Sequence, residues 1–594
     1  MRSIVVYLRV VVLVIIVCSA MTIVMERALR TWRIDVGTPA AHVFTATLRE
    51  PEVAQIAGEK TTFQWMLPKS SIDLPPYAHA QIIEFRTMMR AESPPQQVTM
   101  TVGNVQFALS TAPEVRRYHV YAAQVTQMHV VCDLQGITDK ELATLCVALD
   151  WVEGRRLPDR VDAWVLAWRL VLGCMIVLCV WVICTAAKPW HMVVMLAAVG
   201  TLVCRFPIQS TLYAPQLSLM CGVLAVVWWA IHRWVVHPWQ RVASHAMAIN
   251  MAFKGLGVLV PGYAGTDLFF HVHRFTSVMR GQWYMIADGQ GQTYPYPPGV
   301  YQLLAPVVLP LITIIPAQLV MIASAVIIDS STIMVLAWMC QRLGWSYRSI
   351  ATMAWLYVLL PAGFLLQWQA TISQTIGQWL GVMAIAVTLI HGTPLSLIWI
   401  MLAVVGHFGA FLTLHLAHTI AFVFAPLRRL AWWWWGVVGV MSVVFYSQYM
   451  GLIVAQIQEH YLGAQDHQLS WQELWWQFAW NYGIYGHYLG IGVALALIGI
   501  GVAVRDRWWY MAVAMLASTT LLLVAHVFGA LHATRYVIFL FPVVASYAGI
   551  TLGRLQRGRS GRVLVVVLLA YMALYSANAW FGGTIQGIVM GFLS

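Results

Sequence analysis

Residues 262–301 read GYAGTDLFFHVHRFTSVMRGQWYMIADGQGQTYPYPPGVY and interrupt a chain that is otherwise largely apolar. The stretch gathers what its flanks lack: Asp267, His271, His273, Arg274, Arg280, Asp288, Tyr294, Tyr296 and Tyr301, around the corner Pro297-Pro298-Gly299. Gly and Pro break helices and favour a fixed loop. The runs on either side approach the ~20 apolar residues that a membrane-spanning helix requires. A polar, proline-stiffened loop between such runs predicts a site at a membrane surface.

Composition agrees. The chain is 60% hydrophobic and 10% charged, with a mean hydropathy of +0.72, whereas soluble domains carry about 25% charged residues. The formal charge of +12 comes from arginines clustered between apolar runs. That is the positive-inside pattern of a polytopic helical membrane protein, with no nucleic acid implied. About fourteen apolar segments follow Val161: 162–186, 190–207, 212–236, 243–260, 316–340, 349–366, 371–391, 395–408, 411–427, 431–450, 487–505, 508–529, 533–553 and 562–580. With the N-terminal run they predict about 13–15 spanning helices. His407–Gly409 reads either as a hairpin between two short helices or as a break in one long helix. Segment 300–315 reads as interfacial or re-entrant.

The N-terminal part differs. Residues 4–24 form an apolar run with Arg2 and Arg9 on its N-terminal side and Arg27, Arg30 and Arg33 after it, which reads as an uncleaved signal anchor over 1–30 with its N-terminus inside. Over 31–160 apolar residues alternate. Val98-Met100-Val102, the turn Gly103-Asn104 and Val105-Phe107-Leu109 spell a hairpin. Strands are also expected at 41–47, 61–66, 80–89, 117–122, 127–132 and 145–152, so 31–160 is predicted to be an extracytoplasmic β-sandwich. Of nine cysteines, only Cys132 and Cys146 lie in this soluble part, and a disulfide between them is one of two open readings. The expected organisation is therefore anchor (1–30), sandwich (31–160), additional helices (161–242), main membrane module (243–555), then a last helix and tail (556–594). Counting from an inside N-terminus places the sandwich and loops 262–301 and 451–486 outside, and the arginine clusters at 233–241, 342–348, 428–429, 505–507 and 554–562 inside.

Carboxylates are scarce after Asp162: Asp267, Asp288, Asp329, Glu459, Asp466, Glu473 and Asp506. Asp506 sits among arginines and Asp288 in a Gly-rich turn. Asp329 lies inside an apolar helix, where it is either functional or satisfied by polar neighbours such as Ser330, Ser331 and Thr332. Asp267 is followed at i+4 by His271 and at i+7 by Arg274, one face if the segment is helical. Such a trio can act as a base, position a hydroxyl or bind a metal; the same Asp also suits a helix N-cap.

The order D-x-x-x-H-x-H-R (Asp267 to Arg274), Y-x-Y-P-P-G-x-Y (Tyr294 to Tyr301), then a helix carrying Asp329 and ending in QRLG, resembles the GT-C glycosyltransferases, integral-membrane enzymes that use lipid-phosphate-linked sugars. LQWQATISQTIGQ after Pro361, GHFG around His407 and HATRY at 532–536 extend the likeness over roughly 245–555. FQWML and CVALDWVE resemble jelly-roll domains found ahead of such modules. The resemblance implies a GT-C-like membrane-spanning bundle that works on the outer face of a bacterial cytoplasmic membrane. Asp267 would be the general base, the donor a polyprenyl-phosphate sugar, and the acceptor a hydroxyl of a glycan, lipid or protein. His271, His273, Arg274, His532 and Arg535 would bind the donor phosphate; Tyr294, Tyr296, Tyr301, His407 and Gln369 would bind substrate. A divalent cation (Mg or Mn) is an open question, since no second acidic residue matches a family motif and His271 and His273, two apart, lie on different helix faces. The alternatives are a non-catalytic GT-C-like scaffold whose sandwich binds a protein partner, and, third, a transporter built around Asp329.

Overall fold

The computed structural model describes residues 31–36, 48, 52–56, 59–77, 81–89, 97–122, 125–133, 145–156, 163–184, 195–196, 199, 214–259, 268–289, 292–360, 371–392, 395–457, 491–527 and 539–581. The expected anchor over 1–30, the strand at 41–47 and most of the segment at 190–207 lie outside these residues. The chain divides into two compact units, residues 1–229 with 259–263 and 577–594, and residues 230–258 with 264–576.

Among the described residues the first unit holds ten strands: β1 (Thr31–Asp35), β2 (Glu52–Ile56), β3 (Glu59–Met66), β4 (Ser71–Tyr77), β5 (Gln81–Met88), β6 (Gln97–Val102), β7 (Val105–Leu109), β8 (Arg116–Ala122), β9 (Val125–Asp133) and β10 (Val147–Arg156). All pairings are antiparallel, in two sheets ordered β2-β3-β10-β5-β8, with β1 also on β10, and β4-β9-β6-β7. The strands form because side chains alternate between faces. In β5, Ile83 and Phe85 are buried while Ile82, Glu84 and Arg86 are not. The sheets meet where Phe85 and Tyr118, stacked 5.3 Å apart, approach Phe107 of the other sheet at 6.1 and 6.2 Å. The expected hairpin is β6–β7, with Gly103 at φ 59° turning the chain. Cys132 and Cys146 are joined by a disulfide, Cα–Cα 5.9 Å, from β9 to the residue before β10. The same unit holds helix α1 (Ala163–Cys184) and most of α2 (Ala214–Trp234).

The described residues of the second unit are helical, apart from one hairpin: α3 (Pro238–Leu259), α4 (Leu268–Met279), β11 (Ile286–Gly289), β12 (Gln292–Pro295), α5 (Gly299–Leu311), α6 (Ala317–Arg342), α7 (Tyr347–Leu359), α8 (Ile372–Ile390), α9 (Leu395–Gly406), α10 (Phe408–Ala421), α11 (Arg428–Val444), α12 (Met450–Ile457), α13 (Gly492–Val502), α14 (Arg507–Val527), α15 (Phe541–Leu555) and α16 (Arg559–Phe581). Hydroxyls join neighbouring helices by bonding carbonyls across the interface: Thr352 to Gly549 and Thr551 to Leu495, each 2.6 Å, and Ser518 to Thr413, 2.7 Å. Interhelical polar contacts of this kind suit an apolar surround.

The result is a polytopic helical architecture, with a difference in detail. Among the described residues five helices are long and apolar enough to cross a membrane, or six if the pair 425–444 and 446–452, bent by 62°, is one span. Others are shorter or more polar than their apolar runs suggested. Pro306 and Pro310 lie inside the 13-residue α5, and α3 carries Arg241, Asn250 and Lys254. At His407 the chain is extended (φ −153°, ψ 128°), so 395–427 forms two helices, α9 and α10. In the run of four tryptophans at 432–435, Trp432 and Trp435 are exposed, but Trp434 is buried and stacked 4.1 Å from His418.

Candidate functional site

Helix α4 opens immediately after Asp267. Its buried residues Leu268, His271, Phe275 and Val278 recur at helical spacing, while Phe270, His273 and Thr276 are exposed. The periodicity that makes the helix amphipathic thus sends His271 inward and His273 outward. Next come β11 and β12, paired from Ile286↔Pro295 to Gly289↔Gln292. This hairpin takes the place of a simple Gly-rich turn, and Asp288 lies within it opposite Thr293.

His271 is 2% exposed, and its Nδ1 lies 2.7 Å from the hydroxyl of the fully buried Tyr301 at the start of α5. Tyr301 is 3.3 Å from the hydroxyl of Tyr296, which is 2.7 Å from Ser373 Oγ at the start of α8. The four groups form one hydrogen-bonded chain. Tyr301 donates to Tyr296, so its oxygen accepts from His271 Nδ1–H, which fixes the imidazole tautomer; between Tyr296 and Ser373 either hydroxyl can be the donor. Burial, and secondarily the proximity of His407, push the His271 pKa down to about 3. Its ring is therefore neutral at pH 7 and offers hydrogen bonds rather than charge.

Arg274 supplies the charge. One Nη donates to the Ile286 carbonyl at 2.5 Å, and the guanidinium lies 5.0 Å from the Phe270 ring and 5.8 Å from the Tyr296 ring. Its Nε–H is buried with no partner among the described residues. The hairpin is held in turn by Tyr449, whose hydroxyl accepts from the Met285 N–H at 3.1 Å and whose ring stacks 4.8 Å from Tyr284.

His407 caps α10 through Nδ1, accepting from the Ala410 N–H at 3.2 Å. It is brought close by two glycines. A Cβ at Gly377 of α8 would sit 2.5 Å from the His407 Cβ, and one at Gly299 would sit 2.5 Å from the Val405 oxygen. Only a missing side chain permits such approaches.

Of the residues singled out from the sequence, His271, Tyr296 and Tyr301 share one cluster, with Arg274 over it. His273 faces away, and His407 is engaged as a helix cap. Tyr294 enters through its backbone, paired with Ala287. Asp267, Gln369, His532 and Arg535 lie outside the described residues. Sequence reasoning passed over Ser373 and Tyr449. Ser373 lay within the noted LQWQATISQTIGQ, but nothing in its spacing marked it. No group of three or more His, Cys, Asp or Glu suited to a metal occurs among the described residues.

Asp329, the other carboxylate weighed, is 4% exposed. It is satisfied less by its own helix than by others. Lys254 of α3 pairs with it, Asn250 Nδ2 donates at 3.1 Å, and the Tyr357 hydroxyl of α7 donates at 3.0 Å. Asn250 also donates to Ser330 at 2.9 Å.

Neither the protein-family models nor the curated proteins yield a match to this chain.

Proposed function

We propose that this protein is a membrane glycosyltransferase of GT-C-like architecture, transferring a sugar from a polyprenyl-phosphate donor to an acceptor hydroxyl, with Asp267 as the general base. In this reading the bundle has about 13–15 spans, the sandwich is extracytoplasmic, and the site opens on the outer face of a bacterial cytoplasmic membrane. The observation that carries it is the cluster directly following Asp267: a fixed His271–Tyr301–Tyr296–Ser373 chain beneath an arginine that keeps unspent donors. Asp267 takes the acceptor proton, the acceptor oxygen attacks the anomeric carbon, and the bond to the lipid phosphate breaks as the phosphate leaves with the electron pair. Arg274 stabilises that departing charge through charge-assisted hydrogen bonds. His271 and Tyr301, being buried, position Tyr296 and Arg274. Tyr294, His407, Gln369, His532 and Arg535 complete the proposed donor and acceptor contacts, while His273, which faces away, is left out.

The test is transfer from a panel of polyprenyl-phosphate sugars by purified wild type and Asp267→Asn. The variant is expected to lose about 10³-fold in rate, the scale of general base catalysis, with its melting temperature unchanged. Wild-type-like transfer by Asp267→Asn removes Asp267 from the role. The density of the described cluster also favours a second reading, a non-catalytic scaffold, since a fully buried Tyr301 behaves as core. That reading predicts no transfer by the wild type, stoichiometric co-purification with another subunit, and tolerance of Asp267→Asn in the assembled complex.

A further inference from the structure

At the other end of α8 from Ser373, three arginines from two segments converge on a cavity of about 570 Å³: Arg342 at the end of α6, and Arg505 and Arg507 before and at the start of α14. The one carboxylate in its wall, Asp506, is already engaged. It accepts from Trp345 Nε1 and from the Trp509 N–H, each at 2.7 Å. None of the three arginines pairs with a carboxylate among the described residues. Arg507 donates to the Leu389 carbonyl at 3.2 Å, and Arg505 lies 5.3 Å over the Trp509 ring. Arg342 makes no side-chain hydrogen bond among the described residues. The remaining wall includes Leu389, Pro426 and the phenol-bearing Tyr510. Surface arginines ordinarily disperse or pair. Three in one concavity, opposed only by the Asp506 carboxylate in its wall, leave a net positive field that a multivalent oxyanion relieves, and planar guanidinium forks match its oxygens. An apolar wall beside them suits the glycerol and upper acyl region of a lipid. Basic pockets between helices bind phospholipid headgroups on the same grounds.

We propose that this cavity is a phosphate-ester binding site at the arginine-bearing end of the bundle, separate from the cluster around His271 and independent of the transferase reading. Its ligand is either an anionic phospholipid headgroup or a soluble phosphate.

The full-length protein in detergent is titrated with phosphatidylglycerol and, separately, phosphatidylcholine, with bound lipid counted by native mass spectrometry. Inorganic pyrophosphate is titrated calorimetrically. The variants are Arg342→Gln, Arg342→Gln/Arg505→Gln, and a control from two other arginines, Arg428→Gln/Arg429→Gln. Melting temperatures establish folding, and Arg342→Gln alone, which breaks no described bond, serves should the double variant unfold. The expected result is one phosphatidylglycerol retained in preference to phosphatidylcholine, weakened about fivefold per pocket arginine removed and unchanged in the control. Loss of pyrophosphate binding in the pocket variants, with lipid retention unaltered, assigns the site to soluble phosphate. The proposal is overturned if the pocket variants bind both probes as the wild type does, if the control loses as much, or if the wild type binds neither.

Discussion

His271 is held neutral because its ring has been taken out of water and its Nδ1 committed to Tyr301. The pH consequence has a definite sign. The folded value of about 3 lies below the ordinary 6.5, so between those values the unfolded chain binds the proton that the folded one refuses. The contribution to stability is complete above about pH 6.5 and declines as pH falls toward 3. Melting of the purified protein is therefore expected at lower temperature near pH 5 than near pH 8, with a smaller difference in His271→Gln. An equal pH response in that variant would place the sensitivity elsewhere. The sequence put His271 among the candidate phosphate ligands. Its burial was only partly legible there: Leu268, Phe275 and Val278 recur on its face, but Phe269, Phe270 and Val272 make other faces of the segment apolar too, and packing decided between them.

At the scale of the element, close approach and charge pairing govern how helices meet. Gly377 is the point at which α8 passes beneath His407, and a methyl there would meet the His407 Cβ at 2.5 Å. Gly377→Ala is expected to cost about 1–3 kcal/mol through overpacking, read as a lowered melting temperature and, in the transferase reading, reduced transfer. Little change in either would mean that the break at His407 yields readily. The Lys254–Asp329 pair, 1% and 5% exposed at the side chain, makes the opposite kind of prediction. Lys254→Met alone leaves a buried carboxylate without its cation and is expected to cost about 3–5 kcal/mol, whereas Lys254→Met/Asp329→Leu is expected to recover most of the loss. A double variant as unstable as the single one would show that Tyr357 and Asn250 need the pair to hold their places.

For the molecule as a whole, the two ends of α8 carry different chemistry. Ser373 joins the hydroxyl chain at one end, and Leu389 accepts from Arg507 at the other. At ~1.5 Å per residue they are about 24 Å apart, near the thickness of a bilayer core. Single cysteines introduced at the exposed positions Gln282 and Arg429, in a background otherwise free of cysteine, are expected to react with an impermeant maleimide from opposite sides of sealed vesicles. Labelling of both from one side would break the topology inferred from the arginine clusters. In the first unit, the disulfide between Cys132 and Cys146 fits the extracytoplasmic placement expected of the sandwich.

Local pattern was enough to determine that this chain is a polytopic helical protein with an antiparallel β region near its N-terminus. Apolar runs of spanning length and period-two alternation are properties of adjacent residues, and β5–β10 and most helices follow them. Short elements escaped. The four-residue strands of 286–295 hold too few side chains to show a period, and a single extended residue at His407 divided what composition alone left open. Pairings across the chain lay beyond sequence altogether. Lys254 meets Asp329 75 residues away, and His271, Tyr301, Tyr296 and Ser373 join a common chain only because α4, α5 and α8 begin at the same end of the bundle. Helix packing decided these, since hydrogen bonds and ion pairs depend on distance in space, which residue spacing does not encode once the chain has turned.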